Sequence, residues 1–457
     1  ITIFYKIRKD MSLNKNFIWG VACSAYQTEG AENEDGRGES IWDSKFTAGK
    51  IPGDMNGKIA CDHYHKYKED VDLLKKLGIK NYRFSVSWPR IMPDGTGAVN
   101  PQGVEFYKDL VDRLIAADIT PWITLFHWDL PNKLYEKGGY LNSEISDWFT
   151  DYAAKVVEIF GDKVSNYIIV NEPQCIVEEG HFSGNHAPFL RLSRKETFTV
   201  AHNILLCIGK AEKAMRKVAK HKLDLGIAPC FTPIMPTRED DRELALKCNF
   251  SPTGDFYDGC YFTDAVIKGE FTDEYKEWFK KNDYNPSESD MKIIKSDLDF
   301  FCANLYRGFY VENTADGLKR KAVCPTDDFS AMGWAVTPDA IDYLTEYYYD
   351  RYKMPIILSE NGVALTEWKT LNGDIPDDMR IDYMKRHIER VKKMSEKYPL
   401  KGYFYWSFTD NFEWTLGYSR RFGLVYVDYE TLERIPKKSA YWYKKVIETN
   451  GEDLSND

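Results

Sequence analysis

Two glutamates end apolar runs: NYIIVNE reaches Glu172 and PIILSE reaches Glu360. A glutamate after a strand is by itself an ordinary solvated residue. Two of them held over one pocket form a pair that can break a glycosidic bond, one carboxyl protonating the leaving oxygen while the other attacks the anomeric carbon or activates water. Arg83, inside the apolar run NYRFSVSW, is expected to keep Glu360 ionised. Glu172 beside that charge is expected to have a raised pKa. The repulsion disappears once Glu360 is esterified, so one residue can serve as acid and then as base.

Such a pair needs a rigid frame. Eight runs rich in Val, Ile, Phe, Tyr and Trp predict strands at 17–23, 81–88, 121–127, 166–172, 225–231, 298–306, 355–360 and 402–408. Most are almost continuously apolar, as parallel strands covered on both faces are. Helical periodicity lies between them, as in YHKYKEDVDLLKKLG, where Tyr67, Val71, Leu74 and Leu77 share a face and Gly78 ends the segment. The alternation predicts an α/β fold, a single-domain (β/α)8 TIM barrel with long βα loops at 30–60, 174–195, 231–255 and 307–335. Residues 1–11 read as an N-terminal extension, 12–450 as the barrel and 451–457 as a tail. Side chains at the carboxyl ends of barrel strands meet over one mouth. That rule gathers Gln27, Arg83, His127, Trp128, Asn171, Glu172, Asn304, Tyr306, Glu360 and Trp406.

Composition narrows the partners. The 457 residues are 43% hydrophobic and 29% charged, enough for a large core. A net charge of −10 without a basic block argues against nucleic acid and anionic membranes. Nine scattered cysteines without a CxxC pair read as reduced thiols. The N-terminal stretch lacks the order of a signal peptide and no run is long enough to span a bilayer, so a cytoplasmic location is expected. No GxGxxG, P-loop or metal-spaced His/Cys set occurs, so neither cofactor nor metal is expected. Aromatic residues reach 15%, and flat rings also stack on sugar faces.

The chain resembles the family 1 glycoside hydrolases, the β-glucosidase family, nearly end to end. The motifs FIWGVACSAYQTEGA, SIWD, RFSVSWPRI, HWDLP, NEP, ENG, DNFEW and RRFGLVYVDY occur in family order. The resemblance implies a retaining hydrolase without cofactor, with Glu172 as acid/base, Glu360 as nucleophile, Tyr306 donating to the nucleophile and Arg83 flanking it. It further implies sugar-hydroxyl contacts from Gln27, His127, Asn171, Glu413 and Trp414, a stacking floor at Trp406, a leaving-group platform at Trp334 and a pocket wall at Phe422. The implied partner is a small β-glucoside or oligosaccharide, with self-association left open.

Three positions depart from the family pattern. Gln174 stands where many relatives have Trp, Ala335 where Glu is common, and Arg307 where a small polar residue is usual. All three bear on the leaving group. Glu413 distinguishes the chain from the branch acting on 6-phosphorylated sugars, where Ser is typical, because a carboxylate at the 6-hydroxyl repels phosphate. A 6-phospho-β-glucosidase and an inactive sugar-binding barrel are the alternatives.

Overall fold

A computed structural model describes residues 13–44, 47–257, 260–314, 317–321 and 328–456. The expected N-terminal extension and Cys324 lie outside the described residues. All eight predicted strands form, and they are parallel neighbours in chain order: Ile18–Ala22, Asn81–Ser85, Thr120–Phe126, Asn166–Asn171, Asp224–Ala228, Phe301–Leu305, Ile356–Asn361 and Leu400–Trp406. The first and last of these pair directly, Ile18 opposite Gly402.

The fifth run, LGIAPCF, is one strand by pattern and two by hydrogen bonding. Asp224–Ala228 pairs with strand four, and after Pro229, which cannot donate, Cys230–Phe231 pairs with strand six. The break lets one segment serve both neighbours and closes the barrel.

Helices cover the outside. His63–Lys76 buries Val71 and Leu74 as its periodicity requires, and Gly78 leaves it at φ +69°. Arg194–Val218 begins before the apolar periodicity does, because Ser193 and Glu196 close a reciprocal capping box that extends it. The expected loops contain structure, with short helical segments at Pro52–Asp54 and Ile176–Ser183. Residues 234–236, 309–314 and 317–321 form a small sheet, and Arg242–Phe250 is helical. The expected tail is tied down: the Trp442 indole donates to the Ser455 carbonyl at 2.8 Å. No helix among the described residues is long and apolar enough to cross a membrane. The eight cysteines other than Cys324 are free thiols.

Inside the barrel, Trp122, Phe300, Cys302, Ile357 and Phe404 pack into a plug under Trp406. Gly226 makes room for it, since a Cβ there would lie 2.2 Å from the Phe300 ring. Among the described residues the lumen is filled by this cluster, and the space for a ligand lies above the strand ends.

Candidate active site

Strand seven shows how a carboxylate comes to end a dry strand. All six residues of Ile356–Asn361 are buried, and the pairing with both neighbours slips between Leu358 and the residues that follow. Such a bulge re-aims side chains. Glu360 then lies opposite Asn304, and Asn361 anchors the strand end by donating to the Leu305 carbonyl at 2.6 Å and accepting from the Tyr403 hydroxyl at 2.9 Å. Gly362 is required next. A Cβ there would fall 1.9 Å from the Trp406 carbonyl oxygen.

Strand four is turned by different means. Glu172 precedes Pro173, which disfavours right-handed helical backbone at the residue before it, and Glu172 adopts φ +43°, ψ +65°. This region is uncommon for a residue with a Cβ and is held here by the Glu172 N–H donating to the Ala228 carbonyl at 2.8 Å.

The two carboxyls share a hydrogen-bonded frame. Arg83 is 1% exposed and donates through Nη1 to Glu360 Oε1 at 2.5 Å, through Nη2 to Asn171 Oδ1 at 2.5 Å and through Nε to Thr124 Oγ1 at 3.1 Å. The Tyr306 hydroxyl donates to Glu360 Oε2 at 2.7 Å. Asn304 donates to Glu172 Oε1 at 2.8 Å and to Asn171 Oδ1 at 3.0 Å, while its own carbonyl accepts from Ser359 Oγ at 2.7 Å. Glu360 thus carries a guanidinium and a phenol, whereas Glu172 accepts only neutral donors.

That asymmetry orders their ionisation. Glu172 is pushed up to about 7, first by burial and then by the Glu360 charge, with Cys175 and Asn304 pulling the other way. Repulsion was the expected cause, and burial proves the larger. Burial raises Glu360 as well, but Arg83 and Tyr306 oppose it, so Glu360 ionises first. Cys175, which no sequence argument singled out, donates to Glu172 Oε2 at 3.0 Å. Its place one helical turn after Glu172 was the available signal.

A cavity of about 850 Å³ opens over these groups, and most of the predicted residues line it. His127, Trp128, Asn171, Trp406, Glu413 and Trp414 are among them. The His127 ring lies 5.6 Å from Trp406 and 6.0 Å from Trp414, nearly parallel to both. Burial and Arg83 hold its pKa well below the usual value, so it is neutral. The Trp128 indole donates to the Asn171 carbonyl at 3.0 Å. Glu413 is pushed up to about 8 by burial and by Glu360 and Glu172. That shift favours its protonated form.

Trp334 also lines the cavity, 5.3 Å from the Tyr306 ring and 6.4 Å from Phe422. Arg83 and Gln27 are buried. Arg83 takes its expected place beside Glu360. Gln27 donates to the Phe412 carbonyl at 2.9 Å, accepts from Ser24 Oγ at 2.7 Å and reaches Glu413 Oε2 at 3.4 Å, so it is fixed beside Glu413. Gln174 is buried and donates to the Cys230 carbonyl at 3.1 Å, and Ala335 is buried. Arg421, beside the pocket in sequence, is committed to Asp410 at 2.6 Å.

One set of metal-type donors was not foreseen. Glu172, Cys175 and Cys230 place ligand atoms within 4.8 Å of one another. Both thiols have raised pKa values, so they are protonated, and the Cys175 thiol is spent as a donor to Glu172.

The comparisons with known proteins agree with this geometry. The family model described as glycosyl hydrolase family 1 matches residues 9–452. The chain is 39% identical to beta-glucosidase A of Thermotoga maritima over 444 residues, covering 96% of this chain and 98% of that protein. It is 40% identical to beta-glucosidase A of Acetivibrio thermocellus over 447 residues, covering 96% and 98%. The solved structures of the Thermotoga maritima β-glucosidase with deoxynojirimycin and with glucoimidazole superpose with TM-scores of 0.88 and 0.87. Each is 38% identical, and they cover 96% of this chain and 99% and 100% of theirs. With a closed α/β barrel, two carboxyls meeting at its mouth and a family match across nearly the whole chain, this protein belongs to glycosyl hydrolase family 1.

Proposed function

We propose that this protein is a retaining β-glucosidase that removes terminal non-reducing β-D-glucosyl residues from cellobiose, short cello-oligosaccharides and aryl or alkyl β-glucosides. Galactosides and fucosides are side substrates. The observation that carries this reading is the unequal treatment of two carboxyls in one cavity, Glu360 held by Arg83 and Tyr306 and Glu172 held only by neutral donors.

In the first step a Glu360 oxygen attacks the anomeric carbon while protonated Glu172 gives its proton to the departing aglycone oxygen. Esterification removes the Glu360 charge. The Glu172 pKa then falls, and Glu172 takes a proton from water as that water attacks the anomeric carbon and releases Glu360. Asn171 and His127 face the sugar hydroxyls, the Trp406 ring forms the floor, and Glu413 with Trp414 holds the 4- and 6-hydroxyl side. Glu413 as a neutral acid can both donate and accept, which suits a hydroxyl better than a phosphate.

The test is kcat/KM for p-nitrophenyl β-glucoside, its galactoside and fucoside counterparts, its 6-phosphate and cellobiose, with proton NMR of the first product. The reading requires β-glucose as the first anomer and a plain glucoside preferred over its 6-phosphate. α-Glucose first, or preference for the phosphate, refutes it.

A further inference from the structure

The leaving-group end of the cavity holds a cation that the hydrolytic chemistry leaves unused. Arg307 follows Tyr306 directly, so it is adjacent in the chain to the residue that holds Glu360. It is half-buried and lines the cavity beside Trp334. Its guanidinium carbon lies 5.3 Å from the Trp334 ring centroid and 5.2 Å from that of Phe309.

The other arginines sunk in this protein are matched to carboxylates: Arg83 to Glu360, Arg90 to Glu29, Arg380 to Asp377 and Arg421 to Asp410. Arg307 is not. Among the described residues no carboxylate or carbonyl accepts a hydrogen bond from it. The influences on its charge are burial, which pulls its pKa down, and the weakly acidic Tyr257 and Cys230. A guanidinium keeps its charge and all five donors, and stacking on tryptophan offsets only part of the cost of taking it from water. The missing partner is an anion.

The position of Arg307 says which part of a substrate would bring that anion. Tyr306 contacts Glu360 through its hydroxyl and Trp334 through its ring, and Arg307 lies against Trp334. This chain of contacts ties Arg307, through Trp334 and Tyr306, to the carboxyl that meets the reacting carbon. Acids facing the same space are already engaged. Glu179 accepts from the Tyr257 hydroxyl at 2.7 Å and Asn185 at 2.8 Å, and Asp255 accepts from the Tyr257 N–H at 3.0 Å. Lys50 and Arg191 add positive charge at the same cavity.

We infer that Arg307 makes the leaving-group subsite selective for β-glucosides whose aglycone is a flat ring bearing an anionic group, such as a carboxylate or sulfonate. The ring lies along Trp334 and the anion meets the guanidinium. This rests on the β-glucosidase reading above.

The test compares kcat/KM for 4-carboxyphenyl and 4-carbamoylphenyl β-glucosides, which differ little in shape, in the natural protein and in Arg307→Gln and Arg307→Lys. Neutral 4-nitrophenyl β-glucoside is the reference for folding and for glucosidase activity itself. Taking the acid-to-amide ratio within each protein cancels general losses and the intrinsic difference between the leaving groups. The ratio should fall roughly tenfold or more in Arg307→Gln, the loss of one charge-assisted hydrogen bond, and recover in part in Arg307→Lys. An unchanged ratio overturns the proposal. So does an effect of Arg307→Gln seen with 4-nitrophenyl β-glucoside 6-phosphate and not with the carboxyphenyl substrate, which would place the anion on the sugar. Failure of every form to hydrolyse the 4-nitrophenyl glucoside would instead sink the β-glucosidase reading.

Discussion

Arg83 Nη1 sits 2.5 Å from Glu360 Oε1, and the side chains of both residues are almost sealed from solvent, 1% and 4% exposed. Removing one partner of a buried pair costs about 3–5 kcal/mol, because the remaining charge has no compensation. Arg83→Met should therefore destabilise the protein by an amount of that order at pH 7. Without Arg83 the folded-state pKa of Glu360 rises further. A carboxyl raised in the folded state loses stability as pH rises, so the deficit should shrink toward pH 5 as Glu360 takes up a proton. Urea denaturation at the two pH values checks this, and an equal deficit at both would contradict it.

Tyr306→Phe keeps the ring against Trp334 and deletes the 2.7 Å hydrogen bond to Glu360. A hydrogen bond to a charged group is worth about 1.5–3 kcal/mol. We expect kcat to fall by about 10- to 100-fold with little change in the denaturation midpoint. Steady-state kinetics beside a melting curve separates the two effects.

Glu172 sets the alkaline side of the activity profile. With its pKa near 7, kcat/KM should fall as pH rises through about 7, while loss of Glu360 ionisation sets the acid side. The same shift is a stability statement. The folded state holds a proton that the unfolded chain has released above about 4.5, so the contribution of Glu172 to stability falls between about pH 4.5 and 7. Glu172→Gln should be more stable than the natural protein at pH 7, by about 1–3 kcal/mol, and show no such gain at pH 4. Loss of the alkaline limb in this variant, measured on an activated aryl glucoside that needs no acid, completes the check.

Gly362→Ala would push a methyl group to 1.9 Å from the Trp406 carbonyl oxygen, and backbone cannot yield as a flexible side chain does. Overpacking of this kind costs about 1–3 kcal/mol. Because the displaced atoms join the strand carrying Glu360 to the floor tryptophan, activity should fall with stability. A variant with the natural melting temperature and natural kcat would refute this account of the ENG motif.

The strands were legible because dry parallel strands are written as unbroken apolar runs, and PIILSE and NYIIVNE each formed where predicted. LGIAPCF misled in one respect. Its apolar content gave no sign that Pro229 divides the pairing between two neighbours. The strands 309–314 and 317–321 were missed because GLKRK is polar and the apolar start of FYVENT is only three residues long before Glu, Asn and Thr. Within the site, the strand-end rule gathered the carboxyls and their partners, since register alone fixes where strand ends meet. It could not foresee Gln27 bonding to the Phe412 carbonyl, Gln174 bonding to the Cys230 backbone or the Cys175 thiol reaching Glu172. Those outcomes depend on side-chain directions set by neighbours distant in sequence.

The most direct test of the double-displacement account is trapping of its covalent intermediate. In a 2-deoxy-2-fluoro-β-glucosyl donor the fluorine destabilises the oxocarbenium-like transition states of both steps, and a good leaving group restores the first, so the covalent intermediate accumulates. The account predicts that the intact protein gains the mass of one fluoroglucosyl group, that peptide mapping places the group on Glu360, and that Glu360→Ala gains none. Attachment at Glu172, or full inactivation of the natural protein without any covalent mass, would contradict it.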